Sequence, residues 1–123
     1  MTELPLFVYG TLLSNGAQAA LLPGRRRPGW VHGTLYGMPA GYPALVPGGS
    51  DPVYGEWLDP VPPRVLSMLD AYEGVDQGLY QRVEIDVHTT RVRFRAWAWA
   101  MEQPAKAGGV RIRSGRWRSL IRR

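Results

Sequence analysis

The sequence predicts a single α+β domain over residues 1–123, a mixed, mostly antiparallel sheet with one or two short helices. Three observations carry that prediction. Short apolar runs alternate with Gly- and Pro-rich turns along the whole chain. Two neighbouring segments, 80–89 and 92–101, alternate apolar and polar residues at the period of a strand. One segment, 62–74, repeats its apolar residues at helical spacing instead. At 123 residues there is room for one core without disulfide or metal staples, and no repeat or linker divides the chain.

Taken in order, residues 4–9 form an apolar run that reads as a buried strand. It ends in "YGTLLSNG", residues 9–16, where turn-forming residues take over. Residues 16–24, "GAQAALLPG", suit a short helix stopped by Pro23 and Gly24. A second strand is expected over 29–38. Residues 43–58 read as two strands joined by the turn signal Gly48-Gly49-Ser50-Asp51-Pro52. In 62–74, Pro62 and Pro63 suit a first helical turn, Val65, Leu66, Leu69 and Tyr72 share a face, and Gly74 is a natural stop. Val83, Ile85 and Val87 then face one way on a strand, with Arg82, Glu84, Asp86 and His88 on the other. Thr89-Thr90-Arg91 connects it as a hairpin to Val92–Met101.

Composition narrows the function. A chain 45% hydrophobic and 20% charged is that of a soluble globular protein. The absence of cysteine excludes thiolate chemistry, and two histidines, His32 and His88, are too few and too separated to suggest a zinc site. No apolar run reaches the roughly 18 residues of a membrane helix. No basic-then-apolar leader precedes Glu3, so a cytoplasmic location without membrane partners is expected. The sequence lacks a G-x-S-x-G elbow, a phosphate-binding P-loop and a G-x-G-x-x-G fingerprint.

Charge is uneven. Residues 1–90 hold 5 basic against 9 acidic residues, a balance of −4, whereas residues 91–123 hold 10 against 1, a balance of +9. A solvated arginine-rich surface is the preferred reading, with nucleic acid as the alternative partner. Trp30, Trp97, Trp99 and Trp117 fit a stacking surface for bases, but tryptophans at strand period more often pack against a helix, and packing is preferred. His32 and His88 have no partner legible in the sequence.

Two places remain for chemistry. Glu73 falls in the last turn of the expected helix, against the negative pole of its unsatisfied carbonyls. Burial there would raise its pKa toward the range of a general base, while an exposed, idle glutamate is the bland reading. Asp70, on the same face, is expected to be solvated or bonded to backbone. Tyr9-Gly10-Thr11-Leu12 is the second place: successive turn N–H groups can form an anion cradle, or the strand can simply end.

The ordered set "FVYGTL", "YPALVPGG…VYGEW" and "LDAYEGVDQGLYQRVEIDV", with a final "SGRWR", resembles the gamma-glutamylcyclotransferase-like family over roughly residues 6 to 118. The resemblance implies a compact barrel-like sheet with flanking helices and a cavity at one end. It implies cyclisation of a γ-glutamyl group, the α-amine attacking the γ-carbonyl to release an amine and 5-oxoproline, with no metal or organic cofactor. Tyr9, Gly10, Thr11 and Leu12 match the turn that holds the γ-glutamyl moiety, Glu73 matches the essential glutamate, and Tyr80 matches a tyrosine lining the site. A small γ-glutamyl compound is thus the expected partner. The alternative is a non-catalytic member binding an acidic metabolite, or a polyanion through the basic C-terminal third. Two departures stand out: Gly16 comes four residues after Leu12 rather than three, and Trp57 replaces a commoner tyrosine. Glu56, beside it, reads as a structural ion-pair partner.

Overall fold

The computed structural model describes residues 4–10, 24–59 and 61–117. Its longest ladder pairs β2 (Arg27–Gly37) with β3 (Pro43–Leu58), antiparallel from Arg27 opposite Trp57 to Gly37 opposite Pro43. The connection is a tight turn in which the Met38 N–H donates to the Tyr42 carbonyl at 2.8 Å and Gly41 takes a φ of 93°. Residues 43–58 do not form two strands, as the sequence suggested. They make one, because β2 pairs with them in the same direction on both sides of the glycines. The register jumps from Gly33 opposite Pro47 to His32 opposite Pro52, so the intervening residues bulge out of the ladder. Gly48 and Gly49, at φ 116° and 81°, absorb that excursion.

The remaining strands close a ring. β1 (Leu6–Val8) runs antiparallel to β3 and parallel to β5 (Arg93–Ala100). β5 forms the expected hairpin with β4 (Gln81–His88), whose end reaches β2 where Trp30 faces His88. The order β3-β1-β5-β4-β2, closed by the β2–β3 ladder, is a five-stranded mixed barrel, with β6 (Val110–Arg111) added beside Tyr36 and Gly37. The α+β expectation holds.

Phe7, Val31, Leu35, Leu45, Val53, Ile85, Val87, Ala96 and Ala98 fill the barrel. A second core lies outside it, where α1 (Pro63–Tyr72) lays Leu66 and Leu69 against Leu6, Val8, Ala44, Leu58 and Trp99. β1 serves both: Phe7 points into the barrel and Leu6 and Val8 toward the helix, as period-two alternation requires. A strand buried on both faces reads as a continuous apolar run, which is why Leu6–Val8 shows no alternation. Trp99 packs against α1, as preferred for the tryptophans. Residues 16–23 of the expected first helix, and Thr11 and Leu12, lie outside the described residues. Among the described residues no helix is long and apolar enough to cross a membrane.

Candidate active site

The helix that carries Glu73 starts at Pro62, with Pro63 in its first position, where a missing N–H costs nothing. It stops because Gly74 takes a left-handed φ of 73°, leaving Glu73 as the C-cap. The Glu73 N–H donates to the Leu69 carbonyl at 2.8 Å, so its backbone is fixed and its side chain turns toward the barrel end. There a cavity of about 260 Å³ opens, lined by Phe7 and Val8 from β1, Tyr9 and Gly10 just after it, Tyr42 from the β2–β3 turn, Pro43 at the start of β3, Tyr72 and Glu73 from the helix end, and Leu79, Tyr80 and Trp99.

Burial in this cavity pushes the Glu73 carboxyl up to about 7 from its ordinary 4.5, and the nearby Asp70 carboxylate adds to the rise. Asp70 itself departs from expectation. Its Oδ1 is held by side chains rather than backbone while the group stays partly exposed: it accepts from the Trp99 indole N–H at 2.9 Å and lies 3.1 Å from Arg82 Nε. Arg82 in turn lies over the Trp97 ring at 4.5 Å. Asp70 therefore ties the last turn of α1 to β4 and β5, one turn before Glu73.

Both tyrosines are fixed through their hydroxyls. Tyr9 donates to the Trp99 carbonyl at 2.6 Å, and Tyr80 donates to the Pro43 carbonyl. Burial raises both phenol pKa values, and the Glu73 charge raises them further, so both rings stay neutral. With their protons committed to backbone carbonyls, the hydroxyl oxygens present lone pairs rather than donors. Gly10 sits so close to Pro43 that a Cβ would run into the proline ring.

The structure thus brings Tyr9, Gly10, Glu73 and Tyr80 to one cavity, while Thr11 and Leu12 fall outside the described residues. Glu56 pairs with Arg26 at 3.2 Å, away from the cavity lining, as its strand position suggested. Sequence reasoning gave Tyr42, Pro43 and Trp99 no part in the cavity. Pro43 acts through a backbone carbonyl, which no residue type reveals. Trp99 acts through both its carbonyl and its indole N–H, and its position two residues from Trp97 signalled only packing. Chemically, the arrangement is one carboxyl able to change protonation near neutrality, enclosed by neutral aromatic walls.

A five-stranded mixed barrel with one helix packed outside it is the fold of a known class. The chain belongs to the family described as gamma-glutamyl cyclotransferase, AIG2-like, whose model matches residues 6–119. No curated protein matches the sequence. Among solved structures, YkqA from Bacillus subtilis aligns at 25% identity and a TM-score of 0.74, covering 94% of this chain. This chain spans only 40% of that one. An AIG2-like protein from Mus musculus aligns at 22% identity and a TM-score of 0.68, over 82% of this chain and 78% of the mouse chain. A structure titled gamma-glutamyl cyclotransferase aligns at 20% identity and a TM-score of 0.62, over 80% of this chain and 66% of its own. Identities this low carry the fold.

Proposed function

We propose that the chain cyclises γ-glutamyl compounds, releasing an amine and 5-oxoproline, with Glu73 as the proton carrier. The observation that supports this most is a carboxyl whose pKa lies near 7, at the wall of a cavity sized for a γ-glutamyl group. The substrate's α-ammonium must lose a proton before its nitrogen can attack. Glu73, ionised above its pKa, accepts that proton. The amine nitrogen then bonds to the γ-carbonyl carbon and gives up its second proton as the ring forms, the carbon–nitrogen bond to the leaving amine breaks, and the departing nitrogen takes up both protons, the first of them from Glu73, and leaves as an ammonium. No proton or electron is gained or lost overall.

Attack within one molecule makes folding of the γ-glutamyl chain the main source of rate. The close wall made by Gly10 and Pro43 enforces that folded shape. The Tyr80 oxygen, its proton given to Pro43, accepts from the substrate's ammonium and aims it at the γ-carbon. Backbone groups of Tyr9 and Gly10 at the cavity wall hold the substrate carboxylate or the developing oxyanion, a role in which the sequence also includes Thr11 and Leu12.

The test is 5-oxoproline release from a panel of γ-glutamyl amides and peptides, with Glu73→Gln alongside. Release should fall about 10²- to 10⁴-fold in the variant. No release by folded wild-type protein across the panel overturns the reaction, and release that survives Glu73→Gln overturns the assignment of the base.

A further inference from the structure

The two histidines that lacked a partner in the sequence meet in the fold. His32 on β2 and His88 on β4 stack with ring centroids 4.4 Å apart, and the Trp30 ring is stacked on His88 at 6.0 Å, with planes 16° apart. All three point out of the barrel, since they alternate with the buried Gly29, Val31, Gly33 and Val87. The register extends this into a row across four strands: Tyr54 opposite Trp30, Trp30 opposite His88, and His88 opposite Arg93. At its far end the Arg116 guanidinium lies over the Tyr54 ring at 4.0 Å.

Charge around the row favours an anion. Arg93, Arg116 and Arg91, in the adjoining β4–β5 turn, form no ion pair among the described residues. The β4 carboxylates on this face, Glu84 and Asp86, are both engaged by Arg95 at 3.6 and 3.1 Å. Partial burial, with His32 and Arg93 beside it, lowers the His88 pKa against the opposing pull of Asp86. The row is therefore planar rings, with charge on His88 disfavoured, bordered by guanidinium groups that form no ion pair among the described residues and that belong to the C-terminal third whose balance is +9.

We propose that this outer face binds single-stranded nucleic acid, its bases stacking on the faces of Trp30 and His32 that His88 leaves open and its phosphates meeting Arg91, Arg93 and Arg116. Stacking platforms edged by cations are how proteins hold single strands without reading sequence, because every base has a π-face. Four strands span about 14 Å, the rise of about four stacked nucleotides. A duplex hides its base faces and gains only the arginine contacts. The site is separate from the Glu73 cavity and independent of the cyclisation proposed there.

Fluorescence anisotropy at low salt tests this with wild-type protein and three labelled ligands of equal length, about twelve nucleotides: oligothymidylate, its abasic counterpart, and a duplex. Oligothymidylate should bind roughly ten-fold or more tightly than the abasic strand, which has the same phosphates and no bases. Its log–log salt slope should be about −2 for three phosphate contacts. Trp30→Leu combined with His32→Ala should bring oligothymidylate down to the abasic level, and Arg93→Glu should weaken both single strands alike. Equal binding of the thymidylate and abasic strands, preference for the duplex, or no binding each overturns the proposal. Because the ligand comparison needs no variant, it decides even if the double substitution fails to fold.

Discussion

Carboxylates meet two fates on this barrel, and the difference separates its working end from its outer wall. Glu84 and Asp86 lie on β4 about half exposed, each within reach of the Arg95 guanidinium and of water. Glu73 lies at the barrel end against Tyr9, Tyr80 and the helix C-terminus, and its pKa rises to about 7. The residue type is nearly the same in both places. What changes is solvation and the sign of the nearest charge: a cation faces Glu84 and Asp86, whereas Asp70, another anion, faces Glu73. A carboxyl becomes a proton carrier at neutral pH only where water is kept away and no cation compensates it. The comparison can be broken most severely at Glu73 itself, through the loss of 5-oxoproline release expected of Glu73→Gln.

The same substitution should act oppositely on stability. The folded-state pKa of Glu73 lies above its unfolded value, so the folded protein binds the proton more tightly. Its favourable contribution is fully present below about pH 4.5 and is lost as pH rises through about 7. At pH 8 the buried carboxylate costs about 3 kcal/mol relative to acid conditions. Glu73→Gln removes that cost, so the variant should melt higher than wild type at pH 8 and show little difference near pH 4. Thermal melts at the two pH values check this. Equal behaviour at both would mean Glu73 is solvated like the β4 carboxylates.

Gly10→Ala probes the cavity wall rather than the charge. A Cβ there runs into the Pro43 ring, whose backbone carbonyl holds the Tyr80 hydroxyl. The overpacking should cost about 1–3 kcal/mol in chemical denaturation and lower activity beyond what lost stability explains. On the outer face, His32→Ala meets no such wall and should move stability by less.

Much of this was legible in the sequence, and the reason lies in what each feature depends on. The β4–β5 hairpin was readable because Val83, Ile85 and Val87 alternate with charges on a strand that buries one face. Helix α1 was readable from Pro63, the Leu66–Leu69 spacing and Gly74, all local properties. The glycine run at 48–49 misled, since a turn and a bulge need the same positive φ, and only the partner strand decides between them. Within the site, Glu73 announced itself by its place at a helix end. The Pro43 carbonyl and the Trp99 indole did not, because their roles arise from contacts 37 and 29 residues away along the chain. The meeting of His32 with His88 was likewise a matter of strand pairing.

Asp70→Asn sharpens the comparison by changing the charge beside Glu73 while keeping the shape. Asparagine Oδ1 still accepts from the Trp99 indole, but the like charge that raises the Glu73 pKa is gone. In its proposed role as base Glu73 must be ionised, so kcat/KM should rise with pH through the Glu73 pKa, and this acid limb should move to lower pH in the variant. A structural role alone would scale the profile down without shifting it.

Arg95→Gln carries the smallest expected effect. It removes the cation shared by Glu84 and Asp86. Arg95 is 52% exposed and its partners 49% and 46%. Water screens all three, and exposed pairs of this kind contribute about 0–1 kcal/mol. The loss should be about 0.5 kcal/mol in low salt and should shrink as salt is added, because screening already weakens the wild-type pair. A larger, salt-independent loss would mean that the outer wall excludes water as the barrel end does, and the contrast between the two carboxylate environments would fail.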